Sequence, residues 1–268
     1  MDRLSLGGPA SLAEVSTRQR SSARSWIGTL VGAFALVLAC LLVPVAELGA
    51  QTMDDHIYTY VAFDELEWAP GASERPVEYD GEMWVGGDYD RLWLKADGEQ
   101  STLEAEGHFE FQALYSRATT PFWNVQAGLG VERRYGPVGS GTRGLVTMGI
   151  QGLAPYWFHS EAFVVVSHEG DVSARLEAAY DILFTQRLVL EPEIELSASV
   201  QDVPEWGIGS GLSDMELGAR LRYEIVREFA PYVGISWTRR FGDTADLARA
   251  AGGSVSEANF VAGLKWWY

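Results

Sequence analysis

The chain has 268 residues, with 37 Asp and Glu against 20 Lys and Arg, a net charge of −17, four histidines and one cysteine. Such an acidic chain repels nucleic acid and attracts cations. One cysteine forms no internal disulfide and no thiolate cluster for zinc.

Residues 1–50 read as a secretory signal peptide. Arg18, Arg20 and Arg24 precede an apolar run from Trp26 to Val45, and Glu47-Leu48-Gly49-Ala50-Gln51 offers a small-residue exit with cleavage after Ala50. The run is near the roughly 20 residues that cross a bilayer as a helix, so a signal anchor is the alternative. Cys40 is not read as a lipid attachment site, because Leu41-Leu42-Val43 follows it and Leu38 stands where a small residue is usual. Removing Met1–Ala50 takes away four Arg and three acids. Sixteen basic and thirty-four acidic residues remain, a net charge of −18, with no cysteine. No second apolar run long enough for a helical span follows. The exported chain is then either soluble or a transmembrane barrel.

Residues 51–56, with Met53-Asp54-Asp55-His56, form a short periplasmic lead. Residues 57–68 alternate loosely (Tyr58, Tyr60, Ala62, Leu66, Trp68), Pro70-Gly71-Ala72-Ser73 marks a turn, and short strands follow at 76–86 and 89–97, the last closed by Asp97-Gly98-Glu99. From residue 101 the alternation is regular. Leu103, Ala105, Phe109, Phe111 and Tyr115 share one face, and Glu104, Glu106, His108, Glu110 and Gln112 the other. Similar strands follow at 123–134, 142–154, 157–168, 172–182, 188–200, 214–225 and 230–241. The chain closes with 257–268, where Phe260, Ala262, Leu264, Trp266 and Tyr268 fall at every second position.

A soluble sandwich would give the same alternation, but two features favour a membrane barrel. Many of the segments reach the roughly 9–11 residues that a tilted transmembrane strand needs, against about 5–6 in ordinary sheets. The connections also alternate: Ala154-Pro155-Tyr156, Phe184-Thr185-Gln186 and Glu228–Pro231 are tight, while 136–141, 201–212 and 242–256 are long and rich in Gly, Ser and Asp. Short periplasmic turns and long outer loops are the layout of outer-membrane barrels. Counting back from a periplasmic C-terminus predicts an all-β fold: a transmembrane antiparallel up-and-down barrel of about twelve strands over 57–268.

The polar faces would line the lumen. Glu110, Arg175, Glu177, Glu193, Glu195, Glu216, Arg220 and Arg222 read chiefly as a charge network, since confined charges need partners. His108 shares its face with Glu104, Glu106 and Glu110, a nitrogen and oxygen donor set that suits a divalent first-row metal such as Cu(II), although a histidine among acids is also commonly unliganded. Met53 to His56 is a second, looser donor group. For a hydrolase, neither His159 nor His168 has an evident nucleophile partner, and no phosphate loop or zinc spacing is present. The reading is therefore of a chain that is not an enzyme.

Several strings together resemble a known family. Glu82-Met83-Trp84-Val85-Gly86-Gly87-Asp88-Tyr89-Asp90-Arg91-Leu92-Trp93-Leu94-Lys95, Gly149–Phe158, Gly209–Asp214 and Arg220–Gly234 are similar to signatures of the copper resistance protein B family. The resemblance covers about residues 54–268. It implies an outer-membrane barrel that binds copper ions and contributes to copper tolerance, sits in outer-membrane lipid, is inserted by the barrel assembly machinery through its C-terminal aromatic, and works beside other periplasmic copper-resistance proteins. Only Met53 to His56 stands where many family members carry a Met- and His-rich segment, so the barrel itself must supply a site. The expected copper ligands are His108 with Glu104 and Glu106, then Met53 and His56. The alternative is a structural or porin-like barrel without a metal role.

Overall fold

The structure, a computed structural model, describes residues 56–72, 76–103, 105–136 and 140–268. The expected signal peptide and the lead as far as Asp55 lie outside them. Twelve strands follow one another: β1 (Tyr58–Trp68), β2 (Val77–Gly86), β3 (Asp90–Gln100), β4 (Gly107–Ala118), β5 (Trp123–Tyr135), β6 (Gly141–Ala154), β7 (Phe158–Ser167), β8 in two pieces (Val172–Ala179 and Ile182–Leu183), β9 (Leu188–Ser199), β10 (Gly211–Tyr223), β11 (Phe229–Arg240) and β12 (Ser256–Trp267). Each pairs antiparallel with its neighbours in sequence, and β12 returns to β1, with Ala62 opposite Trp267 and Leu66 opposite Leu264. The sheet is a closed twelve-stranded barrel with no free edge, as spanning a bilayer with strands demands.

β8 is interrupted because Pro192 of β9 stands opposite Tyr180. Tyr180 donates its N–H to the Pro192 carbonyl at 3.1 Å, but proline has no N–H to return. β1 carries a bulge between Phe63 and Glu65. A bulge inverts the in–out phase. Tyr60, before it, stacks inside against Trp84 with ring centroids 6.0 Å apart, whereas Leu66 and Trp68, after it, are exposed on the outer face. The expected single face for Tyr60, Ala62, Leu66 and Trp68 is therefore corrected.

Two further expectations change. β3 runs on to Gln100 because Gly98, expected in a turn, pairs with Tyr79 and Phe109 and lies beneath the Tyr79 ring. β4 then starts only at Gly107. Between the two strands Ser101 donates its N–H to the Glu106 carbonyl at 3.1 Å, and Gln100 Nε2 donates to the same oxygen at 2.8 Å. The long 242–256 loop contains a helix, α1 (Gly242–Ala250). Asp243 in its first turn and Arg249 in its last suit the helix dipole.

Alternate residues of every strand point outward, and Leu129, Val146, Met148, Val164, Val233, Ile235 and Phe260 are exposed there. In water that belt would be costly, whereas lipid accepts it. Tyr89, Tyr115, Phe122, Tyr156, Trp157, Phe184, Tyr223 and Tyr268 gather at the short-turn end, as in an interfacial aromatic girdle. The core is the polar lumen. Among the described residues only Ala69, Ala72 and Val261 form a buried apolar cluster.

Candidate metal centre

Strand register sorts the inward side chains into rows. One row runs through Glu67, Glu78, Glu99, His108 and Arg134 on β1 to β5. The next runs through Asp80, Asp97, Glu110, Glu132 and Arg143 on β2 to β6. Like charges directly opposite one another destabilise a sheet, so the acidic stretches need cations from elsewhere.

At the long-loop end of β4 the two rows meet. His108 Nε2 lies 3.0 Å from Glu132 Oε1, and the Arg143 Nε donates to Glu132 Oε2 at 2.5 Å. Glu110 receives the Arg175 fork from across the lumen, Nη1 to Oε1 at 3.1 Å and Nη2 to Oε2 at 2.6 Å, together with the Gln112 side-chain amide. One donor atom each from His108, Glu110 and Glu132 falls within 4.8 Å of the other two. Glu110 is 0% and Glu132 3% exposed. Carboxylates so enclosed are stable only when partnered. Above them, the connection between β9 and β10 sends Trp206 over the Arg143 guanidinium at 4.1 Å and accepts a hydrogen bond from Arg134 on the Trp206 carbonyl. That lid leaves the imidazole facing a lumen cavity of about 680 Å³, lined also by Glu78, Glu99, Glu177, Glu195 and Glu216.

One imidazole nitrogen and two carboxylates match Cu(II) and its divalent neighbours. They lack the soft sulfur that Cu(I) favours. Of the ligands expected from sequence, the structure brings His108 to this place. Glu104 and Met53 lie outside the described residues. Glu106 precedes β4, and its place in the connection is fixed by its carbonyl. His56 lies exposed at the opposite, short-turn end of the barrel, 6.3 Å between ring centroids from Tyr58. The sequence assigned no site role to Glu132, on the polar face of its strand, or to Arg143. Counting outward from the tight turn at 119–122 would have placed Glu132 opposite Glu110, the signal that a list of faces omits.

The expected charge network occupies the remaining wall. Arg220 meets Glu65 Oε1 at 2.7 Å, Glu67 Oε2 at 3.0 Å and Glu193. Arg222 holds Asp181 at 2.6 Å and Glu191. Lys95 and Lys265, the only lysines of the sequence, are also inside, bound to Glu161 at 2.6 Å and to Asp64 at 2.9 Å. Arg175–Glu110, Lys95–Glu161 and Arg220–Glu67 join strands that are not neighbours, so they lace the lumen from wall to wall. Glu216 is held by the Ser236 and Thr238 hydroxyls at 2.6 and 3.1 Å. Glu177 and Glu195 face the cavity, each opposite another acid, in the row Glu161, Glu177, Glu195, Glu216.

Residues 57–268 match the family described as copper resistance protein B precursor (CopB). The chain is 42% identical over 220 residues to copper resistance protein B of Escherichia coli, which spans 82% of this chain and 73% of that protein. It is 40% identical, over the same shares of both chains, to a copper resistance protein B homolog of Pseudomonas syringae pv. tomato. Among solved structures it superposes on a NanC porin with a TM-score of 0.49 at 12% identity, covering 78% of this chain and 99% of that one. The closed barrel rests on its own strand register.

Proposed function

The chain belongs to the copper resistance protein B family, and from that premise we propose that it binds Cu(II) in the lumen of an outer-membrane barrel through His108, Glu110 and Glu132. The family supports a role in copper resistance. The observation that carries the finer reading is the convergence of one imidazole and two buried carboxylates on a cavity rich in acids. Cations are concentrated by that wall, and copper displaces the arginines that balance the two carboxylates in its absence. The barrel then buffers copper or passes it across the membrane as a binding protein, with no chemical turnover. Lipid covers its outward face, the assembly machinery inserts it, and periplasmic copper-resistance proteins share its cargo.

The test is complementation. Cells that lack the gene should regain copper tolerance with the wild-type chain and fail to regain it with the His108→Ala, Glu132→Gln double variant at equal barrel abundance in the outer membrane. Equal tolerance with both would contradict the site and favour a porin-like barrel without a metal role.

A further inference from the structure

Barrels of about eight strands fill their interiors with side chains, whereas those of about sixteen leave a water channel. Twelve strands stand between these cases, so the inward side chains at each level decide whether an ion can pass. At the short-turn end those side chains are large. Trp267 and Trp84 flank Tyr60, with ring centroids 6.2 and 6.0 Å from it, and Trp93 follows Trp84 at 6.2 Å. This chain of rings runs along β12, β1, β2 and β3. Arg91 lies over Trp84 at 4.3 Å and is tied to the Gly87 carbonyl of the β2–β3 turn at 3.1 Å.

Polar bonds carry the layer round the rest of the wall. From β3 the Lys95 ammonium crosses the lumen to Glu161 on β7 at 2.6 Å, with the Trp93 and Phe163 rings 5.8 and 5.2 Å from it. Glu161 also accepts a hydrogen bond from Gln151 on β6, which in turn accepts one from Gln126 on β5 at 2.7 Å. On the far wall Lys265 of β12 holds Asp64 of β1 at 2.9 Å and Glu191 of β9 at 3.5 Å. Arg222 of β10 joins Glu191 to Asp181, at the break in β8. Trp93, Leu114, Gln126, Val189 and Ala230 point inward at this end and are all buried. A water-filled channel would leave such inward side chains wet.

The lumen cavity lies on the long-loop side of that layer. Asp64, Lys95 and Glu161 are its floor, while Trp84, Trp93, Trp267, Gln126 and Arg222 do not line it. Its other end is bounded by Ala72 and Pro76 of the β1–β2 connection and by the Gly252–Val255 stretch after α1, where Gly252, Gly253 and Ser254 are exposed. We infer that the lumen is a vestibule open to the long-loop side alone, shut from the short-turn side by this layer of rings and ion pairs, with Lys95–Glu161 as its latch. An ion entering a section packed with rings must shed its water, which is how apolar constrictions close pores. Cations gathered by the acidic wall are therefore held in the vestibule and do not cross until the layer parts. The inference stands apart from the copper reading, because it concerns closure to any small ion and needs no ligand.

Potassium release from lipid vesicles carrying the barrel tests it, with heat-modifiable gel mobility confirming equal amounts of folded protein in each preparation. Vesicles loaded with potassium chloride and diluted into sodium chloride should lose potassium no faster with the wild-type barrel than with none. Trp84→Ala combined with Lys95→Ala removes a ring and the latch, and should let potassium exchange for sodium. Tyr60→Ala combined with Trp267→Ala opens the same layer from β1 and β12, and covers a failure of the first variant to fold. Trp206→Leu, at the long-loop end, should stay tight. Rapid release through the wild type would overturn the inference. So would retention of potassium by a folded double variant, or release through Trp206→Leu.

Discussion

Two acidic clusters on this barrel wall, one around His108 and the other of Glu65, Glu67 and Glu78, are held in different ways. Around His108, each carboxylate has its own guanidinium: Arg143 for Glu132 and Arg175 for Glu110. In the second, Arg220 is divided among Glu65, Glu67 and Glu193, and Glu78 forms no ion pair among the described residues. The first group is stable as it stands, so a metal must outcompete two arginines, and selectivity comes from the nitrogen ligand. The second is short of positive charge and offers only oxygen. Donor type sets which metal the first cluster prefers, and the scarcity of counter-charge sets how strongly the second depends on Arg220.

The largest expected effect strikes the second group. Arg220→Met leaves Glu67 buried beside other acids, and breaking one side of a buried pair typically costs about 3–5 kcal/mol. Urea unfolding of the barrel in lipid vesicles should show a loss of that order. Arg143→Met should cost less, about 1–3 kcal/mol, because Glu132 retains His108 at 3.0 Å. Similar losses for the two variants would erase the contrast in charge balance.

Smaller effects separate ligands from cover. Trp206→Leu removes the ring over Arg143, an interaction of about 1–2 kcal/mol, and should shift the unfolding midpoint while leaving Cu(II) stoichiometry intact. Glu106→Gln should be smallest of all, with Cu(II) affinity within about twofold of wild type, because Glu106 supplies no atom to the group of His108, Glu110 and Glu132. A large loss there would restore the ligand set expected from sequence and argue against Glu132.

That last contrast marks where the sequence was legible. Period-two alternation, strand length and the unequal connections anticipated all twelve strands and their antiparallel order, because inside and outside of a barrel are written residue by residue. Acids at every second position also carried the expected β4 back to residue 101, for alternation does not distinguish a strand from the turn that precedes it. The bulge after Phe63 was invisible for a related reason. It inverts the face, so Glu65 and Glu67 turn inward although they follow outward-reading neighbours. His108 stood out as a histidine among acids. Its partners Glu132 and Arg143 depend on pairing across β4, β5 and β6, and register belongs to pairs of strands.

The proposed centre holds Cu(II) inside the barrel through one imidazole and two carboxylates. Electron paramagnetic resonance of the Cu(II)-loaded, detergent-folded protein tests it most directly, since nitrogen and oxygen ligands give different hyperfine patterns. A single bound Cu(II) should show coupling to one imidazole nitrogen, a coupling that disappears in His108→Ala and persists in His56→Ala and Glu106→Gln. A nitrogen signal retained in His108→Ala, or lost in His56→Ala, would contradict it.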